Sequence, residues 1–199
     1  MFYKEERLAL FIDGANLHGA ARAHGFDIDF RRFFYLFARK GRLVRAFYYT
    51  TVIENQELSS LRPLIDWLDY NSYTVLTKPV RDYTDSHDRL RVKSTIHVDL
   101  AIDALGMADH VDHIILVSGD GEYQRLVATI QRKGVRVTIV STLQSNPPMV
   151  SDELRRQADG FLEVVDLVPE IQRQRLSDPG MAIVHGEPTA TGLPAENRG

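Results

Sequence analysis

The chain alternates short apolar runs with longer stretches in which apolar residues recur at helical spacing. Residues 8–12 (LALFI) are continuously apolar, 113–117 (HIILV) nearly so, and 135–140 (VRVTIV) form another β-rich run. Short runs of this kind predict strands buried on both faces. Residues 43–51 and 73–79 predict two more strands, and 161–165 a last short one. Between them the spacing turns helical. A helix is expected from Ala15 onward, and over 29–40 Phe30, Phe33, Phe34 and Phe37 mark another, closed by Gly41. Residues 58–70 carry Leu61, Leu64, Ile65 and Leu68 on one stripe, and 96–107 and 122–133 read as helices, the latter ended by Gly134. A loop with Pro147 and Pro148 leads to a short helix near 151–158. Residues 89–93 alternate basic and apolar positions, which fits an edge strand or an extended loop.

Strands alternating with helices imply right-handed crossovers and a parallel sheet covered on both faces. The expected fold is therefore α/β: a three-layer, Rossmann-like parallel sheet with helices on either side. A length of 199 residues suits one sizeable core. The domain is expected over 1–168. Residues 169–199 form an extension, rich in Gly, Pro and small residues from about Ser177, that is expected to be mobile.

Composition narrows the chemistry. There is no cysteine, which excludes disulfides, thiolate catalysis and Cys-ligated zinc. No apolar run approaches the roughly 20 residues that span a bilayer, and the start, MFYKEERLALFIDG, lacks a signal-peptide pattern, so the cytoplasm is the expected location. The net charge of −3 argues against a uniformly basic coat but leaves room for local basic patches.

In open parallel sheets, ligands bind beyond the carboxyl ends of the strands. Asp13, Gly14 and Asn16 come directly after the first strand (FIDGANL), and Ser118, Gly119, Asp120, Gly121 and Glu122 after HIILV (LVSGDGEY). The helix from Ile96 carries His97, Asp99 and Asp103 (IHVDLAID). Carboxylates converging in a partly dry place repel unless they take up protons or a cation. Hard oxygen ligands without cysteine favour Mg²⁺ or Mn²⁺. Such an ion could activate water for phosphodiester hydrolysis with no protein nucleophile. Each residue also has a plainer reading. Asp13 and Asp120 suit turns and helix caps, while Asp99, Asp103 and Glu122 suit helix N-termini. Phe47, Tyr48 and Tyr49 suit a core as well as a base-stacking face. Arg89, Arg91 and Lys93 would line one face of a strand, beside a phosphate or in solvent. Arg155 and Arg156 are weaker candidates for the same role.

FIDGANL, the stretch 93–105 and VSGDGEY resemble, in order and spacing, the three signatures of the NYN (LabA-like) branch of the PIN-type nucleases. STLQSNPPMVSDELRRQADGF resembles the segment after the last signature in bacterial LabA-like proteins, so the similarity covers about 7–166. The resemblance implies a PIN-like fold and a metal-dependent ribonuclease, with RNA as partner and self-association left open. It implies Asp13, Asp120 and Glu122 as metal ligands, with Asp99 and Asp103 as further ligands or water-orienting groups. Asn16, Ser118 and Lys93 would bind or orient the phosphate. Two departures stand out: Glu122 where relatives often have Asp, and His97 where they often have Asp. Asp99, two residues on, points about 200° away on a helix and does not simply replace that group. Asp99 and Asp103, at i and i+4, share a face.

Three competing readings remain. One is an NYN-like module that binds RNA or protein without cleaving. A haloacid-dehalogenase-type phosphatase would want Asp where Ala15 stands, and dinucleotide binding would want G-x-G-x-x-G after the first strand.

Overall fold

The computed structural model describes residues 1–53, 58–80, 82–84, 90–92 and 95–173. Its centre is a six-stranded sheet in which every neighbouring pair runs parallel. The strands are β1 (Arg7–Asp13), β2 (Arg42–Ile53), β3 (Tyr73–Val80), β6 (His113–Val117), β7 (Arg136–Ser141) and β8 (Gly160–Glu163), in the order β3-β2-β1-β6-β7-β8. Short strands β4 (Asp82–Thr84) and β5 (Leu90–Val92) pair antiparallel as a separate ribbon. The run at 89–93 is thus a strand over its described part, while Arg89 and Lys93 lie outside the described residues.

The helices are α1 (Gly14–Ala23), α2 (Phe30–Ala38), α3 (Leu58–Tyr70), α4 (Ile96–Met107), α5 (Gln124–Arg132), α6 (Asp152–Gln157) and α7 (Val164–Ile171). Alternation along β1 divides the core. Leu8, Leu10 and Ile12 pack with residues of α1, α2, α3 and α7, whereas Ala9 and Phe11 pack with α4, α5 and α6. Each layer buries the apolar stripe read from its sequence, such as Phe30, Phe33 and Phe37 of α2. The expected three-layer α/β fold is the observed one.

Two elements differ from expectation. The strand expected at 161–165 stops at Glu163, because Val164, Leu167 and Ile171 recur at helical spacing and bury themselves as α7. The packed chain continues to an antiparallel bridge between Ile28 and Gln172, and the extension beyond 173 lies outside the described residues. The helix expected over 122–133 opens with a 3₁₀ turn, Gly121–Tyr123, capped by Asp120.

Away from the strand carboxyl ends, Arg7 grips Asp112 through Nη2 at 2.7 Å, Nε at 3.1 Å and its backbone N–H at 2.8 Å. These donors pull the Asp112 pKa down to about 2. A depressed carboxylate stabilises the fold above its unfolded pKa and ceases to do so as pH falls through the folded one. Asp112→Asn is therefore expected to lower Tm by about 2–4 °C at pH 7, a small effect because water screens a half-exposed pair. The gap from wild type should close between about pH 4 and pH 2, as calorimetric melts across that range would show.

Candidate active site

Strand order reverses direction between β1 and β6. From β1 the chain winds outward through β2 and β3; from β6 it winds the other way through β7 and β8. In doubly wound sheets this switch point opens a crevice at the carboxyl ends of the two strands. Asp13 closes β1, and Ser118 to Asp120 come directly after β6, so the two sequence motifs meet there.

Asp13 is buried, at 6% exposure, and both of its oxygens are engaged. Oδ1 accepts from the Asn16 backbone N–H at 3.2 Å, capping α1, and Oδ2 accepts from the Ser118 hydroxyl at 3.0 Å. Ser118 Oγ in turn accepts from the Asp120 N–H at 3.2 Å, and the Asn16 side-chain oxygen accepts from the Gly119 N–H at 3.1 Å. The two loops are thereby laced together. Asp120 Oδ1 accepts from the Glu122 N–H at 3.0 Å, which leaves its other oxygen facing the crevice.

Glycine is required at two points of this lacing. A Cβ on Gly14 would lie 2.6 Å from the Tyr48 hydroxyl, and one on Gly119 would lie 2.0 Å from the Met149 carbonyl oxygen. Gly119→Ala must displace the backbone at Met149. It is expected to lower Tm by about 2–12 °C, from about 1–3 kcal/mol of overpacking. A thermal melt unchanged within about 2 °C would contradict that packing.

His97, on the first turn of α4, stands between the two motifs. Its Nε2 is 3.9 Å from Asp13 Oδ2, and its Nδ1 is 3.7 Å from Asp120 and 3.4 Å from Glu122. Among the described residues, His97, Asp120 and Glu122 offer ligand atoms within 4.8 Å of one another. Asp13 approaches the opposite edge of the imidazole. Tyr123 stacks at a tilt on His97 with ring centroids 5.3 Å apart. Tyr123 is 2% exposed, and its hydroxyl has no hydrogen-bond partner among the described residues. Burial, and then the charges of Asp13, Asp120 and Glu122, push that phenol's pKa upward. It stays protonated.

The remaining acids of α4 face other partners. Asp99 is ion-paired with Lys78 of β3, and Asp103 accepts from the Tyr49 hydroxyl of β2 at 2.8 Å. Both lie on the helix face turned toward β2 and β3, as their i, i+4 spacing implies, and Asp99 turns away from the side that His97 presents. Phe47 and Tyr49 stack with Phe11 on the α4 side of the sheet, and Tyr48 packs on the other, bonding His18 Nε2 at 3.0 Å. The aromatic run is core. Arg155 lies over the Phe161 ring and Arg156 pairs with Asp152. Lys78 and Tyr123 give no signal of this placement in the sequence. Lys78 is separated from its partner by the whole β4–β5 excursion, and Tyr123 reads as an ordinary core aromatic.

Among the described residues, no helix is long and apolar enough to cross a membrane. The chain matches the NYN domain family over residues 7–167. It is 30% identical over 183 residues to the low amplitude and bright protein LabA of Synechococcus elongatus, covering 90% of this chain and 95% of that one. It is also similar to the crystal structure of a Vibrio parahaemolyticus protein of unknown function, with a TM-score of 0.64 and 24% identity over 82% of this chain and 96% of that one. That likeness bears on the fold alone. Taken with the sheet order and the motif positions, these matches show that the chain belongs to the NYN domain family, within the PIN-like nuclease superfamily.

Proposed function

We propose that this protein is a divalent-metal-dependent ribonuclease that hydrolyses RNA phosphodiester bonds at the crevice between β1 and β6. The observation that carries the reading is the convergence of Asp13, Asp120 and Glu122 around His97 at the switch point of the sheet. The donor set fits a metal. One imidazole nitrogen and two carboxylates lie within reach of a single centre, and the protonated Tyr123 hydroxyl beside them has no partner of its own among the described residues. Asp120 and Glu122 would hold the ion together with His97, a mixed N/O set that suits Mn²⁺ better than Mg²⁺. A bound ion there would supply a more acidic water and neutralise charge on the phosphoryl oxygens.

The chain's own residues do the rest. Asp13, fixed by Asn16 and Ser118, is oriented to accept a proton from the attacking water. The buried Tyr123 ring backs the His97 imidazole and limits where it can sit. Lys78–Asp99 and Tyr49–Asp103 brace α4 against β3 and β2, which keeps His97 in register with the strand ends. Lys93, a proposed phosphate contact, lies outside the described residues.

A second reading, an RNA-binding module without cleavage, draws on His97 at a position where relatives often carry Asp and on Glu122 being 78% exposed. Cleavage of a labelled single-stranded RNA separates the two. Ribonuclease action predicts products with Mn²⁺ and none after chelation, whereas the binding module predicts retention of intact RNA in both.

A further inference from the structure

On the face of the sheet opposite α4, a cavity of about 1000 Å³ runs along α1. Its α1 wall is the stripe Gly14, Ala15, His18 and Arg22, beginning at the residue directly after Asp13. With a rise of 1.5 Å per residue, that stripe carries the cavity roughly 12 Å from the strand ends toward Arg22. Thr50 and Thr51 line it at the carboxyl end of β2, and because Asp13 pairs in register with Tyr49, they sit just beyond the level of Asp13. Phe26, Ile28 and Phe30, all largely buried, give it an apolar floor, and Leu61 and Leu64 of α3 line it as well.

Charge in this trough is unbalanced. Arg22 and Arg173 line it and form no ion pair among the described residues, against the lone carboxylate of Asp27. His18, bonded to the Tyr48 hydroxyl, has its pKa lowered by burial and then by Arg22, so at neutral pH it adds no charge. The volume lies at the top of the roughly 300–1,000 Å³ range of ligand pockets. Apolar walls for a base, hydroxyls for a ribose and guanidinium groups for phosphates together suit a nucleotide chain.

We infer that this trough is the binding channel for the single-stranded RNA flanking the phosphate that reacts at Asp13. The strand leaves the crevice past Gly14 and Ala15, lays a base on the apolar wall at Leu61 and Leu64, and sets its outer phosphates against Arg22 and Arg173. The inference rests on the ribonuclease reading and specifies the substrate as unpaired RNA, because the trough is walled by α1 and α3.

The test uses the full chain and a fluorescein-labelled 12-nucleotide single-stranded RNA, read by anisotropy in chelator, with a gel to show the RNA intact. The double variant Arg22→Glu/Arg173→Glu is expected to bind at least tenfold more weakly. Arg22→Gln/Arg173→Gln is expected to reduce the slope of log affinity against log salt by about 1.4, at about 0.7 per lost phosphate contact. Ala15→Trp, an exposed position at the mouth, should also cost at least tenfold. Arg132→Glu, at the far end of α5, should change binding less than threefold. Mn²⁺ affinity by calorimetry should match wild type in all of them, since none touches the acidic cluster. RNA binding that survives the arginine and Ala15 changes would overturn the channel while leaving the ribonuclease reading intact. Absence of RNA binding by wild type would overturn both. A mononucleotide that displaces the oligomer at equal affinity would make the trough a free-nucleotide site and likewise overturn the channel.

Discussion

Asp13→Asn is expected to lower Mn²⁺-dependent RNA cleavage by about 10³-fold while leaving the fold in place. Asparagine keeps the Oδ1 that accepts from the Asn16 N–H, so the cap on α1 survives. What is lost is the negative charge and the proton-accepting oxygen that Ser118 holds in place. Removing one preorganised polar group from a reacting centre commonly costs about 10²–10³ in rate, and loss of a general base adds to it. The variant should melt no lower than wild type in the absence of metal. It leaves less like charge around Asp120 and Glu122, and relieving such repulsion is favourable when no cation offsets it. Single-turnover cleavage and a thermal melt in chelator check both halves. Activity above a tenth of wild type would remove Asp13 from the chemistry, and a fall in Tm beyond about 5 °C would show that its role is structural.

His97→Asp should raise Mg²⁺ affinity at least tenfold and narrow the preference for Mn²⁺ over Mg²⁺. The imidazole lies within 3.4–3.9 Å of three carboxylates, so an aspartate there brings a fourth negative charge and a hard oxygen into the same space. The same repulsion should lower the metal-free Tm by a few degrees, and saturating Mg²⁺ should restore it through linkage. Calorimetric titrations of both proteins with each ion, beside melts with and without metal, read out both effects. Equal affinities would place His97 outside the site. Tight Mn²⁺ binding by wild type that disappears in the variant would make the imidazole an indispensable ligand and the charge argument wrong.

The sequence carried the parts of this picture that depend on local pattern. LALFI and HIILV are legible as strands because central parallel strands are apolar on both faces, and the acids after them are legible as strand-end residues. The two-residue offset of His97 and Asp99 on a helix correctly separated them, one toward Asp13 and the other toward Lys78. What pattern does not carry is strand order. The adjacency of β1 and β6, far apart along the chain, places Ser118 against Asp13, and no periodicity encodes it. Likewise Val164 and Val165 look β-like locally but begin α7, since the contacts that favour the helix come from α2, far away in sequence. Lys78–Asp99 and Tyr49–Asp103 depend on the register of α4 over β3 and β2, which is a property of packing.

Asp120 and Glu122, with His97 between them and Asp13, are the groups expected to hold a divalent ion at the β1–β6 crevice. A crystal of the full chain, grown or soaked with Mn²⁺ and read by anomalous scattering, locates that ion without reference to activity. One strong peak is expected, coordinated by Asp120 and Glu122, within reach of the His97 imidazole and on the Asp13 side of Tyr123. An empty crevice at saturating Mn²⁺, or a peak bound only by acids elsewhere on the surface, would contradict the metal site and the hydrolytic chemistry built on it.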